Sequence, residues 1–188
     1  AINQGESGDG ASMPLTGATG ISADQLYSRG VTTLTANDGA IQVNNLNSLG
    51  NVSVIADSLN IGTNGPIEFA SIVTDVGDAV IRSNNRLIVD SASIAGTARF
   101  SNTGEHMIIV SLNAANVDFD ANEMITMTNV TATNNIDADA GGMILVNGVV
   151  TGQNISLASG DITIASNGRV GTAGVTQALS IENNDNDN

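Results

Sequence analysis

The sequence predicts an all-β protein, a single-stranded parallel β-helix built from coils of about nineteen residues. Three observations carry that prediction. An internal repeat of nineteen residues runs through the second half of the chain, apolar residues alternate in runs too short for helices, and Asn, Gly, Asp and Ser punctuate the runs.

The repeat is clearest in a doublet of two apolar residues flanking one outward position. It occurs as Ala79/Ile81, Ala98/Phe100, Val117/Phe119, Ile136/Ala138 and Ile155/Leu157, each pair nineteen residues after the last. Asp78, Thr97, Asn116, Asn135 and Asn154 precede the doublets. Val89, Ile108, Met127, Val146 and Ala165 follow at a constant offset. Nineteen residues at a rise of ~3.3 Å are too many for one straight strand of a compact domain but suffice for a turn of about three short strands. Stacking each turn on the last puts residue i over residue i+19 at ~4.8 Å.

Taken in order, residues 1–30 read as an N-terminal arm or cap. They are rich in Gly, Ser and Thr, with an apolar trio at Met13-Pro14-Leu15 that could pair with the end of a neighbouring copy. Ser22-Ala23-Asp24-Gln25 fits a helix-capping box, while Ile21, Leu26 and Val31 resemble a degenerate coil, and both readings stay open. Residues 31–181 read as coils, most regular over 79–174. Leu34 with Ile41/Val43 and Val52/Val54 with Leu59/Ile61 make early coils, and Gly65-Pro66-Ile67-Glu68-Phe69 reads as an insertion before Ala79. The glycine-rich stretch Gly168 to Gly174 reads as a widened corner, Val175 to Ile181 begins a last partial coil, and residues 182–188 form a polar tail. Asn116, Asn135 and Asn154 share a column in which their amides could ladder.

Composition narrows the function classes. The 188 residues carry 19 acids against 5 bases, a formal net charge of -14, which argues against nucleic acid because counterion-release binding needs clustered Lys and Arg. No run approaches the ~20 apolar residues of a membrane-spanning helix. With no cysteine there is neither disulfide framework nor thiolate metal site. Aromatic residues make up 2% of the chain, so the core must be aliphatic, as suits a narrow solenoid.

Stretches such as Val31-Thr32-Thr33-Leu34-Thr35-Ala36-Asn37-Asp38-Gly39-Ala40-Ile41-Gln42-Val43, Val52 to Gly62 and Ile155 to Ile164 resemble repeats of filamentous-haemagglutinin-like exoproteins of two-partner secretion. The resemblance covers roughly residues 31–181 and is one of texture. It implies a right-handed helix, secretion through an outer-membrane partner and a role as adhesin stalk. The Asn-Pro-Asn motif of that family's secretion domain is missing from the sequence.

The sharpest candidate site is acidic. Asp118 and Asp120 flank Phe119, and Asp137 and Asp139 flank Ala138 one coil later, so four carboxylates point outward from adjacent rungs at corners ~5 by ~7 Å apart. Oxygen ligands so placed could hold calcium, although no known calcium repeat is present; Arg99, one coil away from Asp118, offers an alternative neutralising charge. His106, the only histidine, falls by strict spacing in the column of Leu87, Ile125 and Ile144 and reads as a structural residue. Met107, Met124, Met127 and Met143 read as core or near-core filler. Thr126, Thr128, Thr131 and Thr133 form a threonine row that does not repeat in the adjacent coils.

No catalytic residue and no cofactor other than possible calcium follows from these residues. The first expectation is a non-enzymatic secreted or cell-surface β-solenoid, an adhesin stalk or structural spacer. Its partners would be a surface glycan or protein, or copies of itself end to end. A subunit of a self-assembling fibre or surface layer is the second, and a carbohydrate-active β-helix enzyme the third.

Overall fold

Alternation with a period of two decides which face of each segment turns inward, and the described residues obey it through strands and turns. The computed structural model describes residues 13–17, 20–36, 41–56 and 67–184, among which there is no helix. The strands run in chain order as β1 (Met13–Gly17), β2 (Ile21–Ser28), β3 (Thr32–Ala36), β4 (Ile41–Ser48), β5 (Val52–Ala56), β6 (Ile67–Thr74) and β7 (Ala79–Ser83). They continue as β8 (Leu87–Asn102), β9 (His106–Ala121), β10 (Met124–Ala132), β11 (Asn135–Thr151), β12 (Asn154–Ile164), β13 (Arg169–Val170) and β14 (Ala178–Asn183).

All pairings are parallel and link successive coils, which makes the fold a β-solenoid. One face stacks β1, β3, β5 and β7, then residues 97–102 of β8 and 116–121 of β9, then 135–140 of β11, β12 and β14. The rest of each coil stacks β2, β4, β6, the first part of β8 and of β9, β10, the second part of β11 and then residues 161–164 of β12 and β13, with the ladder interrupted partway, as between Met127 and Asn129.

Between the faces lies one continuous apolar core. The repeated doublets form its spine: Ala79, Ala98, Val117, Ile136 and Ile155 stack in register, as do Ile81, Phe100, Phe119, Ala138 and Leu157, and all are buried. A fully buried Val, Leu, Ile or Phe contributes ~1.5–3 kcal/mol relative to exposure, so the columns are the main source of cohesion.

Four local readings of the sequence are corrected. Among the described residues strand stacking is already present at Met13, ahead of residue 31: β1 pairs with β3, and Ile21–Ser28 is a strand on β4, so of the two readings open there the degenerate coil holds and the capping helix does not. Met13-Pro14-Leu15 therefore pairs within its own chain; residues 1–12 lie outside the described residues. Ile67-Glu68-Phe69 is not an insertion but the start of β6, stacked between β4 and β8, with Ile67 and Phe69 buried. Leu59, Ile61, Gly65 and Pro66 fall outside the described residues. At the other end, Glu182 and Asn183 belong to β14 rather than to a tail, and residues 185–188 lie outside the described residues.

The fourth correction is a slip of register. Strict spacing put His106 and Ile108 in the inward columns, but Leu87 and Ile125 pair with Met107, while Val89 and Met127 pair with Ile109. Met107 and Ile109 are buried, and His106 is exposed opposite Met124. The cause is one extra residue in the turn from Asn102 to Met107 relative to that from Ser83 to Leu87. Gly104 lets the longer turn close, since a Cβ there would run into the Asn84 carbonyl of the neighbouring coil. Register returns to nineteen residues at the Thr97–Asn116 pair. Ile164, rather than Ala165, likewise pairs with Val146. Of the methionines, Met107 and Met127 are core, whereas Met124 and Met143 pair on the outward face and are half-buried.

Several buried polar residues sit where the chain leaves a strand. Ser48 Oγ donates to the Gly30 carbonyl at 2.9 Å, Thr74 Oγ1 donates to that of Gly77 at 2.8 Å, and Asn102 Oδ1 accepts from the Gly104 N–H at 3.0 Å. Each inward side chain thus satisfies a turn group that would otherwise be lost to the ladder. Gly171 and Gly174, at φ of 82° and 79°, turn the widened corner before β14.

Candidate functional site

Function on a solenoid is written on its outward columns, because the inward ones are committed to packing. The four aspartates of the acidic rungs occupy two of these columns. Asp118 pairs with Asp137, and Asp120 with Asp139, on the adjacent strands β9 and β11. The rung below contributes Arg99, whose Nε donates to Asp118 Oδ2 at 2.7 Å, with side-chain exposures of 58% and 45%. That hydrogen bond, reinforced by the charge of Asp118 and weakly by that of Asp78, holds the guanidinium above its ordinary pKa. Among the described residues no three His, Cys, Asp or Glu side chains converge in a way that could hold a metal ion.

The column just before the doublets is also polar and cross-linked. Asn154 Nδ2 donates to Asn135 Oδ1 at 2.8 Å, giving a rung of the expected amide ladder. Lower down, the Thr97 N–H donates to Asp78 Oδ1 at 2.7 Å and the Asp78 N–H to Asn51 Oδ1 at 3.1 Å. These side chains splice the corners of successive coils. The threonine row meets Ile108 and Leu145 on either side of Thr126, so it remains confined to one coil.

Sequence reasoning missed a second feature, a groove of about 590 Å³ on another face, in the lower coils. On β2, β4, β6 and β8 the outward positions two residues apart form two axial columns. Ser22, Gln42, Glu68 and Ile88 make one wall. Asp24, Asn44, Ala70 and Asp90 make the other, and Ala23, Val43 and Phe69, the positions between the two columns, line the floor. Neighbouring side chains brace one another: Gln42 Nε2 donates to Glu68 Oε2 at 3.3 Å, Asn44 Nδ2 to Asp24 Oδ1 at 2.8 Å, and Arg86 Nη2 to Glu68 Oε1 at 2.6 Å. The alternation of polar residues was visible in the sequence, but Gln42 and Glu68 are 26 residues apart, and a nineteen-residue step does not bring them together.

At the upper end, Leu179 and Ile181 of β14 stand in register over Ile155 and Leu157. The lower pair is buried, whereas Leu179 and Ile181 are 49% and 44% exposed, so the last described coil presents its inward face to solvent. No helix among the described residues is long and apolar enough to cross a membrane.

No protein-family model, curated protein or solved structure matches this chain.

Proposed function

We propose that the chain is a non-enzymatic, secreted or cell-surface β-solenoid that acts as a stalk or structural spacer of an adhesin. The observation that carries this reading is the unbroken axial stacking of the doublet columns over one apolar core. A rod of this kind holds its two ends at a fixed separation, because shortening or bending it would break ladder hydrogen bonds and open packed columns together. The acidic, lysine-free and cysteine-free composition supports an extracellular setting, and the texture shared with filamentous-haemagglutinin-like repeats supports the adhesin role. Labelling intact cells of the native source with an antibody to the chain tests it. Surface labelling is expected, and a pool reached only after lysis would contradict the proposal.

A second reading, end-to-end assembly, is favoured by the half-exposed Leu179 and Ile181, whose inward column a further coil or another copy would complete. Light scattering of the purified chain over a concentration series tests it. Growth in mass that Leu179→Ser abolishes supports assembly, and a monomer at every concentration contradicts it.

A further inference from the structure

We propose that the groove between the two outward columns of β2, β4, β6 and β8 binds an extended, uncharged glycan lying along the solenoid axis. The proposal deepens the surface-display reading and rests on it for its biological setting, but the binding itself is a property of the groove. The walls span four coils, three steps of ~4.8 Å, so the trough is ~14 Å long, and its volume of about 590 Å³ lies in the ~300–1,000 Å³ range of small-molecule sites. Ala70 is the small residue in a wall otherwise made of Asp24, Asn44 and Asp90. It leaves that wall open at mid-length.

The chemistry of the walls selects the ligand class. Planar carboxylates and carboxamides present two polar atoms side by side, which matches the adjacent hydroxyls of a sugar ring. Gln42 and Asn44 supply donors as well as acceptors, which a purely anionic row would lack. The contacts of Asn44 with Asp24, of Gln42 with Glu68 and of Arg86 with Glu68 fix these side chains before a ligand arrives, which lowers the ordering cost of binding. They also occupy part of the carboxylate charge, which favours a hydroxyl-rich ligand over a cationic peptide. Uronic acid or sulfate groups would meet three carboxylates on a chain of net charge -14 and be repelled. Phe69, the one aromatic residue at the groove, has its ring buried beneath the floor, so stacking contributes nothing and binding is expected at about millimolar strength.

Nuclear magnetic resonance titration of the whole chain with cellohexaose and chitohexaose tests the proposal, with a heparin hexasaccharide and hexa-arginine as comparisons. At least one of the two uncharged hexasaccharides should shift amides at residues 22–24, 42–44, 68–70 and 88–90. Ala70→Arg, an outward substitution that fills the opening, and Asn44→Ala, which removes a wall amide without blocking it, should each weaken that binding at least tenfold. Absence of binding by both hexasaccharides overturns the inference. So does unchanged affinity in both variants, or preferential binding of heparin or hexa-arginine. None of these results bears on surface labelling, so the stalk reading stands or falls separately.

Discussion

The rings of Phe100 and Phe119 stack one coil apart, with centroids 5.5 Å apart and planes 19° from parallel. Both are buried, at 0% and 1% exposure, and Ile81 and Ala138 continue the column on either side. Truncating Phe119 removes both a large transfer contribution and its neighbour's stacking partner. Phe119→Ala should cost ~3–5 kcal/mol in urea unfolding. Phe100→Leu should cost distinctly less, because the column stays filled.

The register slip makes Ile109 and Ile108 an internal test. Ile109 lies in the core between Val89 and Met127, whereas Ile108 faces outward between Ile88 and Thr126. Ile109→Ala is expected to lose ~2–5 kcal/mol and Ile108→Ala under ~1 kcal/mol, by the same unfolding measurement. An unbroken nineteen-residue spacing predicts the reverse order.

Asp120 and Asp139 face each other on adjacent rungs, both exposed, and like charges placed directly opposite in a sheet destabilise it. Asp120→Asn or Asp139→Asn should therefore raise the thermal midpoint slightly in low salt, with the gain fading as salt is added. Calcium should move the midpoint of the unaltered chain no further than magnesium does. A calcium-specific rise that Asp120→Asn abolishes would instead assign the acidic rungs to a cation site.

Arg99 has its pKa raised by its hydrogen bond to Asp118 and by that charge. A base whose folded pKa lies above its unfolded value contributes stability that is fully present below the unfolded pKa and is lost as pH climbs through the folded one. For arginine that window is strongly alkaline. Between about pH 6 and 9, then, the unfolding midpoints of the unaltered chain and of Arg99→Gln should run parallel. Curves that diverge within that range would show that another group titrates with the pair.

How much of this was legible in the sequence depended on corner length. The doublets at Ala98/Phe100, Val117/Phe119 and Ile136/Ala138 could be read because the corners between them leave the step at nineteen residues. The acidic rungs inherit that regularity, so Asp118 over Asp137 and Asp120 over Asp139 followed from spacing alone. His106 and Ile108 were misplaced because the extra residue between Asn102 and Met107 is compensated before Asn116, which leaves the repeat intact on either side of a shifted segment. The groove was hidden for a related reason: Asn44 and Ala70 are wall neighbours separated by a long step, and alternation identifies an outward residue without saying which residue lies beside it. The salt bridge of Arg99 with Asp118, one regular step apart, was accessible; that of Arg86 with Glu68 required the true register of β6.

The most direct test of the rigid solenoid is a spin-label distance along its axis, since the chain has no cysteine of its own. Thr35 and Glu182 belong to one column, running through Ile55, Arg82, Ser101, Asp120, Asp139 and Ala158. Labels at Thr35→Cys and Glu182→Cys should give a single narrow distribution centred near ~34 Å, seven steps of ~4.8 Å. A broad distribution, or one centred well away from that distance, would contradict the axial stacking on which the spacer reading depends.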